Sequence, residues 1–302
     1  MSTQTSAPLD LLPLATGADD VPPARRGRPA RSPLLWIGLV LVGIAVAMAV
    51  FAPLLTPHNP TAISGRALEQ PSAGHWLGTD VPGRDIFAQL VFGARDSLLA
   101  GVIAGSLAIV GGVVVGVLPA LLSGVADTVS NRLVVFLLAL PGLPLLVLIG
   151  ALAGNRQGAL ILVIAFLGIA PNARILRSQA LSLRKRGFIA AARGFGGGPL
   201  FVLRRHLVPG LGPLVLVSFV NWVSVAIGLE AGLAFIGLGD PSGISWGLTI
   251  NRALAQPAIY FSPMWTWWVL PAGLAITVTL LGFTFVGVAL EPLLNPRSRR
   301  SS

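Results

Sequence analysis

The stretch Arg184–Gly210, RKRGFIAAARGFGGGPLFVLRRHLVPG, carries six positive charges, no negative one and three consecutive glycines, Gly196–Gly198, and stands between two long apolar runs. A chain that concentrates cations in this way uses them either to grip a polyanion or to fix which side of a bilayer a segment faces. Composition decides between the two. Of 302 residues, 54% are hydrophobic and 11% charged, with a mean hydropathy of +0.81, far from the balance of a water-soluble domain. The formal net charge of +10 is therefore a topology signal, and nucleic acid is not an expected partner. Cysteine is absent, which excludes a disulfide framework, a thiolate nucleophile and a Cys-ligated metal.

A hydrocarbon core of about 30 Å takes roughly 20 apolar residues as helix, the form that satisfies its own backbone hydrogen bonds in lipid. Six runs meet that demand, at 34–55, 98–122, 133–153, 157–173, 211–235 and 267–290. The expected fold is an all-α membrane protein of six transmembrane helices. The first run follows a Pro-containing tail with Arg25, Arg26, Arg28 and Arg31 and is too long for a signal-peptide core, so it is read as a retained span. With the N-terminus inside, the cytoplasmic side collects those four arginines, Arg132, the eight Lys/Arg from Arg174 to Arg205, and Arg297, Arg299 and Arg300: 16 of the 21. The opposite side keeps Arg66, Arg84, Arg95, Arg156 and Arg252. This asymmetry predicts N-in/C-in.

The chain then divides into a disordered cytoplasmic tail (1–33), a first helix (34–55), an extracytoplasmic loop (56–97), a five-helix core (98–290) with a long cytoplasmic loop at 174–210, and a second cytoplasmic tail (291–302). A simple connection needs only a few residues. The 174–210 loop instead contains helical signals of its own: Ala190–Ala192, a Gly-Gly-Gly-Pro break, then Leu200–Leu207. The alanines favour helix, the glycines stop it, and Pro199 suits the first turn of a second short helix. Two short helices at an angle make an elbow that suits a cytoplasmic partner better than a solvated connection.

The same residues resemble the EAA loop of permease subunits in binding-protein-dependent ATP-binding-cassette importers. Its pattern is Glu-Ala-Ala, three residues, Gly, and a distal apolar-x-Leu-Pro. Ala190, Ala191 and Ala192 occupy the Glu-Ala-Ala positions, Gly196 the glycine, and Val208 and Pro209 the terminal Leu-Pro; Arg205 and His206 resemble the Arg-His pair of the peptide-transport branch. The usual Glu is Ala190 here, so any polar contact that Glu makes is dispensed with or replaced. Two further segments resemble the dipeptide, oligopeptide and nickel importers: HWLGTDVPGRDIFAQLVFGARDSLLAG from His75 and EAGLAFIGLGDPSGISWG from Glu230.

The resemblance implies half of a translocation pathway, completed by a homologous second permease, with two ATPase subunits on one side and an extracytoplasmic solute-binding protein on the other. Whether the second permease is another chain or a copy of this one stays open. ATP and Mg²⁺ would be held by the partner ATPases, with no cofactor in this chain and no enzyme activity. The residues agree, because Lys185, the only lysine, is followed by Arg186 and Gly187 and makes no phosphate-binding loop. Peptides are the favoured solute, with nickel or another small solute as the alternative. A secondary transporter is disfavoured because Glu230 is the one acid inside an apolar run and no internal repeat is present.

Glu230 has two open roles, a pathway or gate group or a structural pairing near the outer boundary. Asn221 and Trp222 on the same run either line the path or bond a neighbouring helix. Gly78, Thr79, Asp80, Gly83, Arg84 and Asp85 are expected to form an extracytoplasmic structural turn locked by Arg–carboxylate bonds. No Ca²⁺ loop spacing is met there. His58, His75 and His206 are expected on separate loops, so no metal site is expected. Pro141 and Pro144 should kink the third span, Gly101/Gly105 and Gly112/Gly116 should give small-residue packing faces, and Trp265, Trp267 and Trp268 should form an interfacial belt.

Overall fold

The computed structural model describes residues 33–291 apart from 123, 153, 155, 188, 190–193, 203, 204 and 206. Among them the regular structure is helical, with one isolated bridge between Thr79 and Asp85. Helix α1 (Pro33–Val50) is followed by a single turn, α2 (Ala52–Leu55). Helix α3 (Ile86–Gly112) continues through a π-helical turn, Val113–Val117, into α4 (Leu118–Leu122). Then come α5 (Val125–Ala139), α6 (Gly142–Leu152), α7 (Gln157–Arg184), α8 (Pro199–Val202), α9 (Val208–Phe235), α10 (Trp246–Leu254) and α11 (Trp265–Leu290). Five stretches are long and apolar enough to cross a membrane: α1, α3 with α4, α7, α9 and α11. The bent pair α5–α6 makes a sixth if it is one span.

Two spans are longer than their apolar runs. Helix α3 starts at Ile86 and not at residue 98, because Asp85 caps it by accepting the Phe87 N–H at 2.9 Å. The charges that interrupt the run are occupied: Arg95 Nε donates to the Ala49 carbonyl at 2.6 Å, and Asp96 accepts the Ile244 N–H at 3.3 Å. Helix α7 runs past residue 173 to Arg184, because Ala173, Leu176, Ala180 and Leu183 keep a buried stripe at helical spacing while Arg174 is exposed and Arg177 and Arg184 find partners on neighbouring helices. The elbow is correspondingly shorter than the 174–210 loop.

The third span breaks where a kink was expected. The axes of α5 and α6 differ by 82° across Leu140 and Pro141. Leu140 is extended, at φ −70° and ψ 137°, the conformation that a following proline imposes. Pro144 sits within the first turn of α6, where no N–H is needed. The tryptophans also divide. Trp265 is half exposed, whereas Trp268 is fully buried with Ile86, Ala253 and Ile259, so it belongs to the packed interior and not to an interfacial belt.

Small residues bring the helices together. Gly101 and Gly105 of α3 face Ile227 and Val223 of α9, and Gly112 and Gly116 lie against Asn172 and Ala173 of α7. Helix α1 meets α11 where Gly38 faces Gly282 and Val286. The π turn shifts the hydrogen-bond ladder, and the Val115 carbonyl takes the Ser130 hydroxyl of α5. A Cβ on Gly116 would lie 2.8 Å from the Cα of Ala173, whereas one on Gly43 meets nothing within 4 Å. Gly116→Val should therefore cost about 1–3 kcal/mol by overpacking and lower the melting temperature in detergent, while Gly43→Val should not. Equal melting of the two variants would contradict this helix contact.

Candidate coupling elbow and intramembrane polar residues

The connection from α7 to α9 is tied to the bundle by apolar side chains. Ile189, Val202 and Leu207, each fully buried, pack with Leu176, Ala180 and Leu183 of α7, Val117 and Leu121 beside the π turn, and Leu211 of α9. Each such side chain stabilises the docked loop by about 1.5–3 kcal/mol. Two cation contacts add to this. Arg184 Nη1 donates to the Ala120 carbonyl at 2.9 Å, and Arg177 grips Asp127 of α5 with two parallel bonds, Nε–Oδ1 2.8 Å and Nη2–Oδ2 2.9 Å.

The outer face of the elbow is exposed. Phe195 is 92% exposed and Arg205 is also exposed. Gly196 has φ +84°, a left-handed conformation that L side chains rarely adopt, and it reverses the chain ahead of α8. Pro209 occupies the first turn of α9. Ala190, Ala191, Ala192 and His206 lie outside the described residues.

The three intramembrane candidates point in different directions. Asn221 abuts Gly287 of α11. Trp222 covers Gly168 of α7 and borders a cavity of about 250 Å³ lined by Leu137, Leu146, Leu167 and Leu229, with no partner for its indole N–H. Glu230 is buried near the end of α9, where the Ser97 hydroxyl of α3 donates to Oε2 at 3.3 Å and Ser245 lines the same small pocket. Ser97 Oγ in turn accepts the Trp246 N–H at 3.4 Å. Glu230 thus ties α9 to α3 and, through Ser97, to the start of α10, while Asn221 and Trp222 meet α11 and α7.

Residues 108–300 match the family described as the inner membrane component of binding-protein-dependent transport systems, and residues 28–71 match the N-terminal transmembrane domain of oligopeptide transport permease C. The chain is 35% identical over 263 residues to a putative peptide permease protein of Brucella suis, covering 86% of both chains. It is 33% identical over 270 residues to a probable D,D-dipeptide transport system permease protein of Escherichia coli, covering 88% of this chain and 89% of that one. It is 33% identical over 271 residues to the oligopeptide transport system permease protein of Bacillus subtilis, covering 88% and 87%. The chain belongs to this permease family. It is a multi-pass inner-membrane subunit of an ATP-binding-cassette importer, and the family is not an enzyme class.

The permease's 78–85 turn is built differently from the Arg–carboxylate lock expected. Asp80 accepts the Arg84 backbone N–H at 2.7 Å and the Gln89 amide at 2.8 Å, while the Thr79 hydroxyl donates to the Arg66 carbonyl and accepts the Glu69 N–H at 2.8 Å. Asp85 caps α3 and bonds His58 Nδ1 at 2.7 Å. The Arg84 side chain instead borders a cavity of about 300 Å³ with Asn251, Arg252, Gln256 and Trp268. Burial, and the nearby Arg84, push the Arg252 guanidinium below its ordinary value. In the loop after α9, bonds from the Ser242 hydroxyl and N–H hold Asp240 below the usual carboxylate range. The histidines are corrected too: His58 and His75 share one loop, with ring centroids 4.8 Å apart. His206 lies outside the described residues.

Sequence reasoning missed Ile189, Val202 and Leu207, whose signal was isolated apolar residues inside a cationic stretch. It also missed Asp127, Ser97 and Ser245, short polar residues of common type with no marked spacing. The Glu230 cluster yields a prediction. Glu230→Gln keeps an acceptor for Ser97 and should melt near wild type, whereas Glu230→Leu strands the buried Ser97 hydroxyl and should lose about 1–3 kcal/mol. A thermal melt of the purified complex separates the two. Equal loss by both variants would assign Glu230 a role that needs its charge.

Proposed function

We propose that this permease forms half of a peptide translocation pathway, in a six-span N-in/C-in arrangement, and turns ATPase motion into alternating access through the elbow. The observation that carries this is the two-sided elbow: Ile189, Val202 and Leu207 fully buried against three helices, with Phe195 and Arg205 left outside. A solvated connection needs no such anchor. A lever needs both faces, one to receive a push and one to pass it on. The excess of Lys/Arg around the elbow supports a cytoplasmic location, where ATPases work.

The remaining assembly follows from this role. A second permease of the same kind completes the pathway, two ATPase subunits holding ATP and Mg²⁺ dock on the elbows, and a solute-binding protein delivers solute at the opposite end. Peptide is the proposed solute because the relatives named above are peptide, dipeptide and oligopeptide permeases. In this mechanism ATPase closure displaces the outer face of the elbow. The apolar anchor moves α7 and α9 with it, and the Arg177–Asp127 grip carries the motion to α5. Arg205 tunes docking more than it supplies docking energy, as charges at an interface rim do.

Gly196 tests the proposal. No neighbour lies within 4 Å of a Cβ placed there, so the only intrinsic penalty of a side chain is its φ of +84°. Gly196→Val should leave membrane abundance near normal, because the apolar spans are untouched. It should cut uptake of a labelled dipeptide by proteoliposomes at least about tenfold, through lost ATPase co-purification or through hydrolysis without uptake. Full uptake by the variant would make the loop a mere connection. Wild-type complex that hydrolyses ATP but takes up no di- or oligopeptide would overturn the solute assignment.

A further inference from the structure

The segment between α2 and α3 gathers three side chains of metal-ligating type that the mechanism proposed above does not use. Asp85 commits one oxygen, Oδ1, to the cap of α3 through the Phe87 N–H. Its other oxygen, Oδ2, faces two imidazole nitrogens, His58 Nδ1 at 2.7 Å and His75 Nδ1 at 3.9 Å. All three ligand atoms lie within 4.8 Å of one another.

His75 Nδ1 decides how the cluster is read. The residue is only 7% exposed, and this nitrogen has no hydrogen-bond partner. At 3.9 Å it is too far from Asp85 to donate to it, and as an acceptor it has no donor. An unpaired buried nitrogen is costly, and the ring is not free to swing away to find a partner. A Cβ on Gly65 would stand 2.7 Å from Nε2, so the far edge of the ring is close against backbone. The His58 ring lies over the near side at a tilt of 34°. A cation between the three atoms would use the lone pair of each imidazole and the free carboxylate oxygen at once.

We propose that His58 Nδ1, His75 Nδ1 and Asp85 Oδ2 bind one divalent transition-metal ion of the zinc class, which staples the segment between α2 and α3 onto the N-terminus of α3. Two imidazoles and one carboxylate suit zinc and its neighbours, whereas Ca²⁺ and Mg²⁺ take oxygen ligands. The His58 side chain is 29% exposed, which gives the ion an entry path and leaves room for water as a further ligand. The three ligands come from separate points along the segment, so an ion bound there adds a cross-link to the hydrogen bonds, such as Leu68 N–H to the Asp80 carbonyl, that already hold it.

The whole transporter, stripped with a chelator and dialysed against zinc, should retain about one more zinc per permease chain than the same complex carrying His75→Gln or His58→Gln. This difference cancels any zinc held by other subunits. Zinc, but not Mg²⁺, should raise the melting temperature of the wild-type complex by a few degrees, and the rise should vanish in the variants. His58 is the more exposed ring, so His58→Gln carries the comparison if His75→Gln does not assemble. Equal zinc content in wild type and variants, or no zinc-dependent rise in wild type, would reduce the cluster to a hydrogen-bonded His–Asp pair and overturn the proposal.

Discussion

Work done outside this chain reaches its membrane helices only through parts packed firmly against them, and at the elbow that packing is apolar. Ile189, Val202 and Leu207 insert among Val117, Leu121, Leu176, Leu183 and Leu211, so the loop is seated on the ends of α4, α7 and α9 together. Close-packed interiors transmit displacement because their side chains have little space to yield. The cationic stretch that marks the loop in sequence is therefore a shell around a hydrophobic key. Its greasy residues seat it against the helices.

Within lipid a different constraint governs. Hydrocarbon solvates leucine as well as protein does, so helices associate by close packing and by satisfying polar groups. Glycines accordingly line the contacts of α3 with α7 and α9 and the contact of α1 with α11. Several polar groups are placed where partners exist. Ser130 takes the carbonyl displaced by the π turn, and Ser97 bonds Glu230. The π turn is part of the elbow's apolar anchor, since Val117 belongs to both, so the seat of the elbow is also where the ladder of the α3–α4 span is irregular.

Much of this was legible in the residues. Composition and run length give the helical membrane fold, and the elbow, the 75–101 segment and the 230–247 segment give the family. The boundaries were less legible, because hydropathy cannot see a helix whose polar face is paid for by tertiary partners, as in α3 before residue 98 and α7 after residue 173. Pro141 was recognised but its effect underrated, since the extended backbone it imposes on Leu140 turns a kink into a break. His58 and His75 were set apart because sequence distance says little about a loop that folds back on its own helix cap.

The seating of the elbow is tested most directly by removing its key while leaving its surface intact. In the complex reconstituted in proteoliposomes, Ile189→Ala with Val202→Ala should leave ATPase binding and basal hydrolysis near wild type. Solute uptake per ATP hydrolysed should fall at least about tenfold, because each truncation opens a cavity where rigid contact was. Unchanged uptake per ATP in this variant would contradict the account.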